Sequence, residues 1–537
     1  MLSEEDYALL KDAEKKSDNK EKDADKNGKA DKKSKKDTGK TAEKEQEAIV
    51  VELDNIDTRV MRLTPYSSEL SDAIVTADGD NLYYLSEFED GYDLWKLPLR
   101  KRQPKLVSKL GAQTGVSLQA PKDGKSIFLM GAKMQKLDPK TDKLTAITSD
   151  ATHEIDRAAE RQAMFDNMAV EEAARFYNKG MHGVHWPAMV ENYRRFLPHI
   201  NNNYDFAELL SEILGELNVS HTGGRYRPAA ASSADRTASL GLLYDMSYDG
   251  TGLKVDEVIV NGPFDKAASK MVPGSIVKSV GGVEVAADTD MASLFRNLAG
   301  KKVLVGFVTP SGESYEEVVK PISAGAENAL LYDRWVRNRA VDVEKWSNGR
   351  LGYVHIPSMA DASFRPMYAD LLGKYANAEG VVIDIRWNGG GRMHEDIEVL
   401  FTGEKYLTQE IRGKDVCDMP SRRWNKPSVM LVAEPCYSNA HGTPWVYKHQ
   451  KIGKVVGAPV PGTMTSVNWV TMQDPTMVFG IPVIGYRTAE GYYLENFQLE
   501  PDVKVYNTPE DIAAGEDRQL RTAVETLLRD IDAKKQK

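Results

Sequence analysis

"EGVVIDIRWNGGGRMHEDIEVLF", residues 379 to 401, runs from β-branched residues through a triple glycine into helically spaced apolar ones. Val381, Val382 and Ile383 are apolar in succession, the pattern of a strand buried on both faces, as in a parallel sheet. Asn388–Gly389–Gly390–Gly391 then reads as a turn, with Ile397, Leu400 and Phe401 at helical spacing behind it. The same order recurs on either side. Upstream, "LGYVHIPSM" (351–359) is a strand and "FRPMYADLLGKYAN" (364–377) a helix; downstream, "SVMLVAE" (428–434) is a strand and "SNAHGTPWVYKHQ" (438–450) its helix. "KVVGAPV" and further β segments follow, up to "YYLENFQLEPDVKV" (492–505), and a charged helix closes the chain at 509–534. This alternation predicts an α/β domain over 326–537 around a largely parallel sheet.

The chain of 537 residues is too long for a single core. With 41% hydrophobic and 28% charged residues, it has a globular composition. A net charge of −10 gives no reason to expect nucleic acid or an anionic membrane as partner. Cys417 and Cys436 are the only cysteines, so no disulfide framework is expected, and neither CxxC nor HExxH occurs. No metal or organic cofactor is expected. No apolar run approaches the roughly 20 residues that span a bilayer. The opening Met1–Asp6 lacks secretory order, so the expectation is a cytoplasmic protein, unless upstream sequence hides a signal peptide.

Four further segments are legible. Residues 1–50 are rich in Lys, Asp and Glu, and read as a disordered charged linker. In 51–150, "TADGDNLYYLSEFEDGYDLWKLPL" and "APKDGKSIFLMGAKMQKLDPKTDKLTAI" align Asp78–Gly79 with Asp123–Gly124, the pattern of β-propeller-like blades, too few to close a ring alone. Residues 151–235 turn helical, in "EIDRAAERQAMFDNMAVEEAARFY" and "FAELLSEILGEL", and end in "NVSHTGGRY". Residues 236–325 resemble a PDZ domain: Pro263 opens a helix near Ala267, and Gly274 and Gly281–Gly282 mark turns. Leu240, Gly241 and Leu242 would then capture a peptide C-terminus by strand addition.

In parallel sheets the ligand crevice lies beyond the carboxyl ends of the strands. Two such ends stand out here, the triple glycine and Cys436–Tyr437–Ser438–Asn439. Bare glycine amides and the amide after Ser438 are the parts of an oxyanion hole beside a hydroxyl. A tight turn and an ordinary serine N-cap account for the same residues. A serine nucleophile needs a base, and His221 in "SHTGG" is placed among small residues that can present a ring to a cleft. His441, three residues along its helix, would face away from Ser438. Glu495 is a carboxylate in an aromatic-rich strand segment, open to reading as an orienter or as a salt bridge.

"FYNKGMHGVHW", "LLSEILGELNVSHTGG", the PDZ-like unit, "VVIDIRWNGGG", "CYSNAHG" and "LENFQLEPDVKV" occur in the order found in the tricorn proteases and, more broadly, the C-terminal processing peptidases. The resemblance runs from the helices near 150 to the C-terminus. It implies a multidomain α+β protein with a ClpP/crotonase-like α/β catalytic domain, acting as a serine peptidase that trims short peptides. It further implies Ser438 as nucleophile, His221 as general base, Ser220 and Glu495 completing a tetrad, and the N–H groups of Gly391 and Asn439 as oxyanion hole. Where the family often has Asp after the serine, this chain has Asn439. In "KYLTQEIRGK", Glu410 is the nearest counterpart of an acidic residue that receives a basic P1 side chain. Peptide substrates are the partners implied, and assembly into homo-oligomers (hexamers) follows from the resemblance alone. Two rivals stand beside this: a PDZ-type peptide-binding scaffold with a degenerate protease domain, and a cysteine hydrolase using Cys436.

Overall fold

The computed structural model describes residues 53–536 apart from 90, 114, 132, 149–151, 230–234 and 287. The charged linker expected at 1–50 lies outside the described residues. The chain divides into two compact units, meeting at Glu154 and Ile155.

In the first unit, β1 (Glu69–Val75), β2 (Asn81–Glu89), β3 (Gly91–Pro98) and β4 (Lys105–Ala112) form one antiparallel sheet. A second is formed by β5 (Ser117–Gln119), β6 (Ile127–Met130), β7 (Gln135–Asp138) and β8 (Lys143–Ala146). Asp78–Gly79 and Asp123–Gly124 occupy matching turns before β2 and β6, closed by Gly79 and Gly124 N–H groups on the carbonyls of Thr76 and Pro121. Tyr83, Leu85 and Leu94 share a core with Leu118, Ile127, Leu129 and Leu137. Among the described residues the two sheets do not close into a propeller.

The second unit starts with α1 (Arg157–Arg175), α2 (Trp186–Arg194) and α3 (Asn203–Gly215). Asp156 and Asn202 cap the first and third through their side-chain oxygens, as short polar residues at those positions should. A short strand, β9 (Gly223–Tyr226), follows. Then come β10 (Ala238–Ser239), β11 (Leu242–Tyr244), β12 (Leu253–Val258), β13 (Ile276–Val280), β14 (Val283–Glu284), the one-turn α4 (Met291–Leu294), β15 (Val303–Val308), β16 (Ser314–Val319) and β17 (Ile322–Ser323). Strands β11-β12-β13-β15-β16 pair in that order around a separate core with Phe264, Val277, Val305 and Phe307. The helix expected near Ala267 is not formed. Gly262, Asp265 and Ser269 close i→i+3 turns instead, beginning at Asn261 with φ +64°, and no i→i+4 ladder starts.

After α5 (Ala324–Ser347), the parallel sheet is built from β18 (Leu351–His355), β19 (Gly380–Asp384), β22 (Ser428–Val432), β23 (Lys454–Gly457) and β26 (Val503–Lys504), paired in that order. Between them lie α6 (Asp361–Ala369), α7 (His394–Phe401), the hairpin β20 (Leu407–Ile411) with β21 (Lys414–Met419), α8 (Asn439–His449), then β24 (Thr465–Thr471) and β25 (Met477–Gly485). Helices α9 (Pro509–Ala513) and α10 (Arg518–Lys535) end the chain. Alternation along the strands sorts two cores. Val381, Ile383, Met430 and Val432 pack under α6, α7 and α8, whereas Val382, Val429 and Leu431 pack against Val343, Leu520, Val524 and Leu527 of α5 and α10. Among the described residues no helix is long and apolar enough to cross a membrane.

One pairing carries the helical segment to the sheet. β9 joins the edge of β25 antiparallel, Gly223 opposite Gly480, extending the β24-β25 hairpin. Phe206, Leu210 and Ile213 of α3 pack with Met477, Phe479 and Ile481 of β25 in one core.

At the end of β19, Arg386 is buried between Asp384 (2.7 Å) and Asp517 (2.9 Å), and Tyr353 donates its hydroxyl to Asp384 at 3.0 Å. This pair fixes the strand end that leads into the glycine turn. Arg386→Ala strands a buried carboxylate at Asp384, which costs about 3–5 kcal/mol. Urea unfolding should show a large drop in midpoint; an unchanged midpoint contradicts the assignment.

Candidate active site

Both unusual strand ends lie where the sheet topology puts a crevice. After β19, Trp387 takes φ +66° and Asn388 becomes the organiser of the turn. Its Nδ2 donates to the Ile356 carbonyl (2.8 Å), its Oδ1 accepts the Gly390 N–H (2.8 Å), and its carbonyl accepts the Tyr437 N–H (3.0 Å). The last bond ties the glycine turn to the turn after β22. Gly390, at φ +98°, lies so close that a Cβ there would stand 2.5 Å from Ser438 Cβ and 3.0 Å from its Oγ. A Cβ on Gly391, at φ +140°, would collide with the Met359 carbonyl. Only glycine permits these two approaches, Gly390 to the serine and Gly391 to the Met359 carbonyl.

Ser438 precedes α8 with φ +58° and ψ −125°, and its side chain makes no cap hydrogen bond. Its N–H is held by Thr463 Oγ1 at 2.9 Å. The cap position is filled by a hydroxyl that does not cap. A non-glycine residue there costs roughly 1–3 kcal/mol and persists only when its surroundings enforce it. The N–H groups of Gly391 and Asn439 have no acceptor among the described residues. Asn439 is buried, and its side chain fastens α7 to α8: Oδ1 accepts the N–H groups of Met393 (2.9 Å) and His394 (3.1 Å), while Nδ2 donates to His394 Nδ1 (2.7 Å). A carboxylate could not make that last donation. The amide therefore has work of its own beside its backbone N–H.

His221, at φ +62°, reaches the same turn through Tyr437. Its N–H donates to the Tyr437 hydroxyl (2.7 Å), and its ring lies over the Tyr437 ring at 4.6 Å between centroids. Nδ1 is 2.7 Å from Ser220 Oγ and 3.1 Å from Thr465 Oγ1. Ser220 Oγ is 3.0 Å from Glu495 Oε2, and the Ser220 N–H donates to Oε1 at 2.6 Å. An ionised carboxylate only accepts, so the Ser220 proton goes to Glu495 and Ser220 Oγ accepts from Nδ1–H. That leaves Nε2 with a bare lone pair. No hydrogen bond joins His221 to Ser438 in this conformation, and Ser438 Oγ has no partner among the described residues.

Burial pulls the His221 imidazole down to about 4, helped by the Arg225 charge, so the ring is neutral at physiological pH. Burial raises the Glu495 carboxyl, while the N–H and O–H of Ser220 pull it back. The arrangement offers a neutral base, an oriented tautomer and two open donors beside a hydroxyl, the requirements of acyl transfer.

Other expected residues lie apart. Glu410, on the exposed β20–β21 hairpin, bonds the Gly413 N–H of its own turn at 3.1 Å. Leu240 and Leu242 are buried in a core, and the Gly241 N–H is taken by Ser239 Oγ at 2.9 Å. Cys436 is buried, donates Sγ–H to the Ile385 carbonyl (3.2 Å) and has its thiol pushed up to about 12, which disqualifies it as a nucleophile. His441 is fully buried away from solvent. Among the described residues no cluster of His, Cys, Asp and Glu could hold a metal ion. Tyr437, Thr463 and Thr465 were not singled out by sequence. Their only signal is position, beside the serine and in the β-segment run after β23.

Ser438, the imidazole of His221 and the open amides are groups of the kind that serine hydrolases use. Residues 350–505 match the profile of peptidase family S41, and residues 157–215 that of the tricorn protease C1 domain. The chain is 29% identical over 428 residues to tricorn protease homolog 1 of Streptomyces coelicolor, covering 76% of this chain and 40% of that protein. It is 26% identical over 364 residues to a putative tricorn-like protease C-terminal subunit of Sulfurisphaera tokodaii, covering 65% and 41%. A crystal structure of the tricorn protease shares its fold, with TM-score 0.73 at 17% identity over 86% of this chain and 47% of that one. Residues 350–505 thus carry a peptidase family S41 domain, and the chain is similar in sequence to tricorn protease homologues. It spans about 40% of the length of these curated relatives.

Gly390→Ala tests the packing of the two turns. Its Cβ must displace Ser438, and a shift of that size costs about 10²-fold in kcat. Wild-type peptidase turnover in this variant contradicts the geometry.

Proposed function

We propose that this protein hydrolyses peptides through an acyl-enzyme on Ser438. The observation that carries the proposal is the strained Ser438, whose hydroxyl makes no cap bond and packs against Gly390, next in the chain to Gly391, whose N–H, like that of Asn439, has no acceptor among the described residues. Ser438 Oγ attacks the peptide carbonyl, and its proton passes to Nε2 of His221 once the ring swings from its resting contact on Tyr437. The tetrahedral oxyanion is stabilised by the two N–H groups. The imidazolium keeps its Nδ1–H on Ser220 Oγ, backed by the Glu495 charge, and then protonates the leaving amine. Water repeats the sequence in reverse to release the acid product. No step calls on a metal or organic cofactor.

The wider organisation is part of the same proposal. Residues 51–150 act as propeller-like blades, 151–235 carry the base, and 236–325 form a PDZ-like module whose edge strand β11 docks a substrate C-terminus. Residues 326–537 are the catalytic domain. The substrates are short peptides, trimmed by homo-oligomers. Glu410, exposed on the β20–β21 hairpin, is the proposed receptor for basic P1 side chains.

A fluorophosphonate tests the nucleophile. Wild type should be modified at Ser438 alone, and Ser438→Ala should lose both labelling and peptide hydrolysis; a labelled Ser438→Ala variant contradicts the assignment. The pH profile tests the base. A base must be neutral, and His221 stays neutral well below the ordinary histidine value, so the acid limb of kcat/KM should fall near pH 4. Arg225→Gln removes a neighbouring positive charge, favours the imidazolium and moves that limb upward. A limb at the ordinary value in wild type, or one unmoved in Arg225→Gln, contradicts the assignment.

A further inference from the structure

Behind the relay lies a second imidazole that the mechanism above does not use. His182 sits in the turn Gly180–Gly183, where Met181 (φ +48°) and His182 (φ +52°) are consecutive non-glycine residues in the left-handed region. Two such residues in a row persist only where contacts enforce them. Those contacts are on the ring. Nδ1 is 2.8 Å from the Leu217 carbonyl, and Nε2 is 2.6 Å from the Tyr177 hydroxyl. A carbonyl only accepts, so Nδ1 carries a proton and donates it to Leu217, while Nε2 shares a hydrogen bond with the Tyr177 hydroxyl.

Both partners lead to the relay. Leu217 ends the α3 segment three residues before Ser220. Its neighbour Asn218, itself at φ +46°, gives its carbonyl to Asn496 Nδ2 at 2.7 Å, and Asn496 adjoins Glu495. Tyr177 is anchored on β25, with its N–H on the Pro482 carbonyl (2.9 Å) and its ring edge-on to Tyr493 (5.1 Å). A cavity of about 370 Å³ behind the relay is lined by Tyr177, His182, Leu217, Asn218, Tyr493 and Glu495. The turn that carries the base is therefore pinned from the rear at Leu217 by a ring whose own orientation is set from β25.

We propose that His182 is a positioning residue, whose imidazole, clamped between Tyr177 and Leu217, fixes the turn that delivers Ser220 and His221 to Glu495 and Ser438. The proposal rests on the serine-peptidase assignment for its effect on rate, and on hydrogen-bond geometry alone for its effect on the turn. Released from Leu217, the 218–221 turn gains freedom, and the catalytic geometry loses rate through misplacement rather than through lost binding. Asparagine at 182 can still donate an N–H to the Leu217 carbonyl, whereas alanine cannot. Phenylalanine at 177 keeps the ring packing and removes only the O–H that orients His182.

The test compares wild type with His182→Ala, His182→Asn and Tyr177→Phe in the full chain. Fluorophosphonate labelling of Ser438 should slow by at least about 10-fold in His182→Ala, recover to within about 3-fold of wild type in His182→Asn, and slow mildly in Tyr177→Phe, with peptide KM little changed. Independently of activity, imidazole NMR should show His221 titrating at higher pH in His182→Ala, because a loosened turn wets the ring, and returning in His182→Asn. An unlabelled Ser438 in wild type sinks the peptidase assignment and leaves the positioning proposal to the titration. Labelling at the wild-type rate in His182→Ala, or a His221 titration that does not move there, overturns the proposal.

Discussion

A serine hydroxyl has one proton to give, and at Ser220 the neighbouring carboxylate of Glu495 takes it. That constraint orders the rest of the site. With its proton committed, Ser220 Oγ can only accept from His221 Nδ1–H, and the imidazole is left with its basic nitrogen at Nε2. The carboxylate does not touch the histidine. It sets the ring's tautomer through an intervening hydroxyl, and Thr465 offers a second oxygen to the same Nδ1. The relay is drawn from residues 220–221, 465 and 495, so it exists only because β9 adds to the edge of β25 and delivers the turn just before it.

Strain collects around this point. His182, Asn218, His221, Trp387, Ser438 and Asn496 are non-glycine residues with positive φ, and all lie in the turns around Ser438 and His221. All but Trp387 are held by bonds that cross between elements: His182 to Leu217, Tyr437 to His221, Asn496 to Asn218, Thr463 to Ser438; and Asn388, next to Trp387, holds Tyr437. Such a site resists relaxation because no turn can settle without breaking a bond made by another. The buried Arg386 pair plays the same part further back, holding the end of β19 while the glycine turn beyond it departs from regular geometry.

The parallel sheet was legible in the sequence because doubly buried strands are continuous apolar runs, and Val381–Ile383 and Val429–Val432 could hardly be read otherwise. The Asp78–Gly79 and Asp123–Gly124 turns were legible because the dipeptide dictates local conformation. What failed was equally physical. The helix expected after Pro263 requires an uninterrupted i→i+4 ladder, and Asn261 and Gly262 divert the chain into single turns. Ser438 could not be separated from a cap by sequence, since the same residue type serves both, and only its backbone angles and missing cap bond distinguish them. The relay residues were named together through resemblance, not through spacing: the 273 residues between His221 and Glu495 carry no local trace of their meeting. Tyr437 and Thr465 were missed because a hydrogen bond across the fold leaves no pattern in either strand.

A crystal structure of the protein inhibited by a peptidyl phosphonate would bear most directly on the meeting of hydroxyl, imidazole and amides. The account predicts phosphorus bonded to Ser438 Oγ, one phosphoryl oxygen received by the N–H groups of Gly391 and Asn439, and His221 Nε2 swung to within hydrogen-bond reach of the adduct while Nδ1 remains on Ser220. An adduct on another residue, or one whose phosphoryl oxygen turns away from those amides with His221 still on Tyr437, would contradict it.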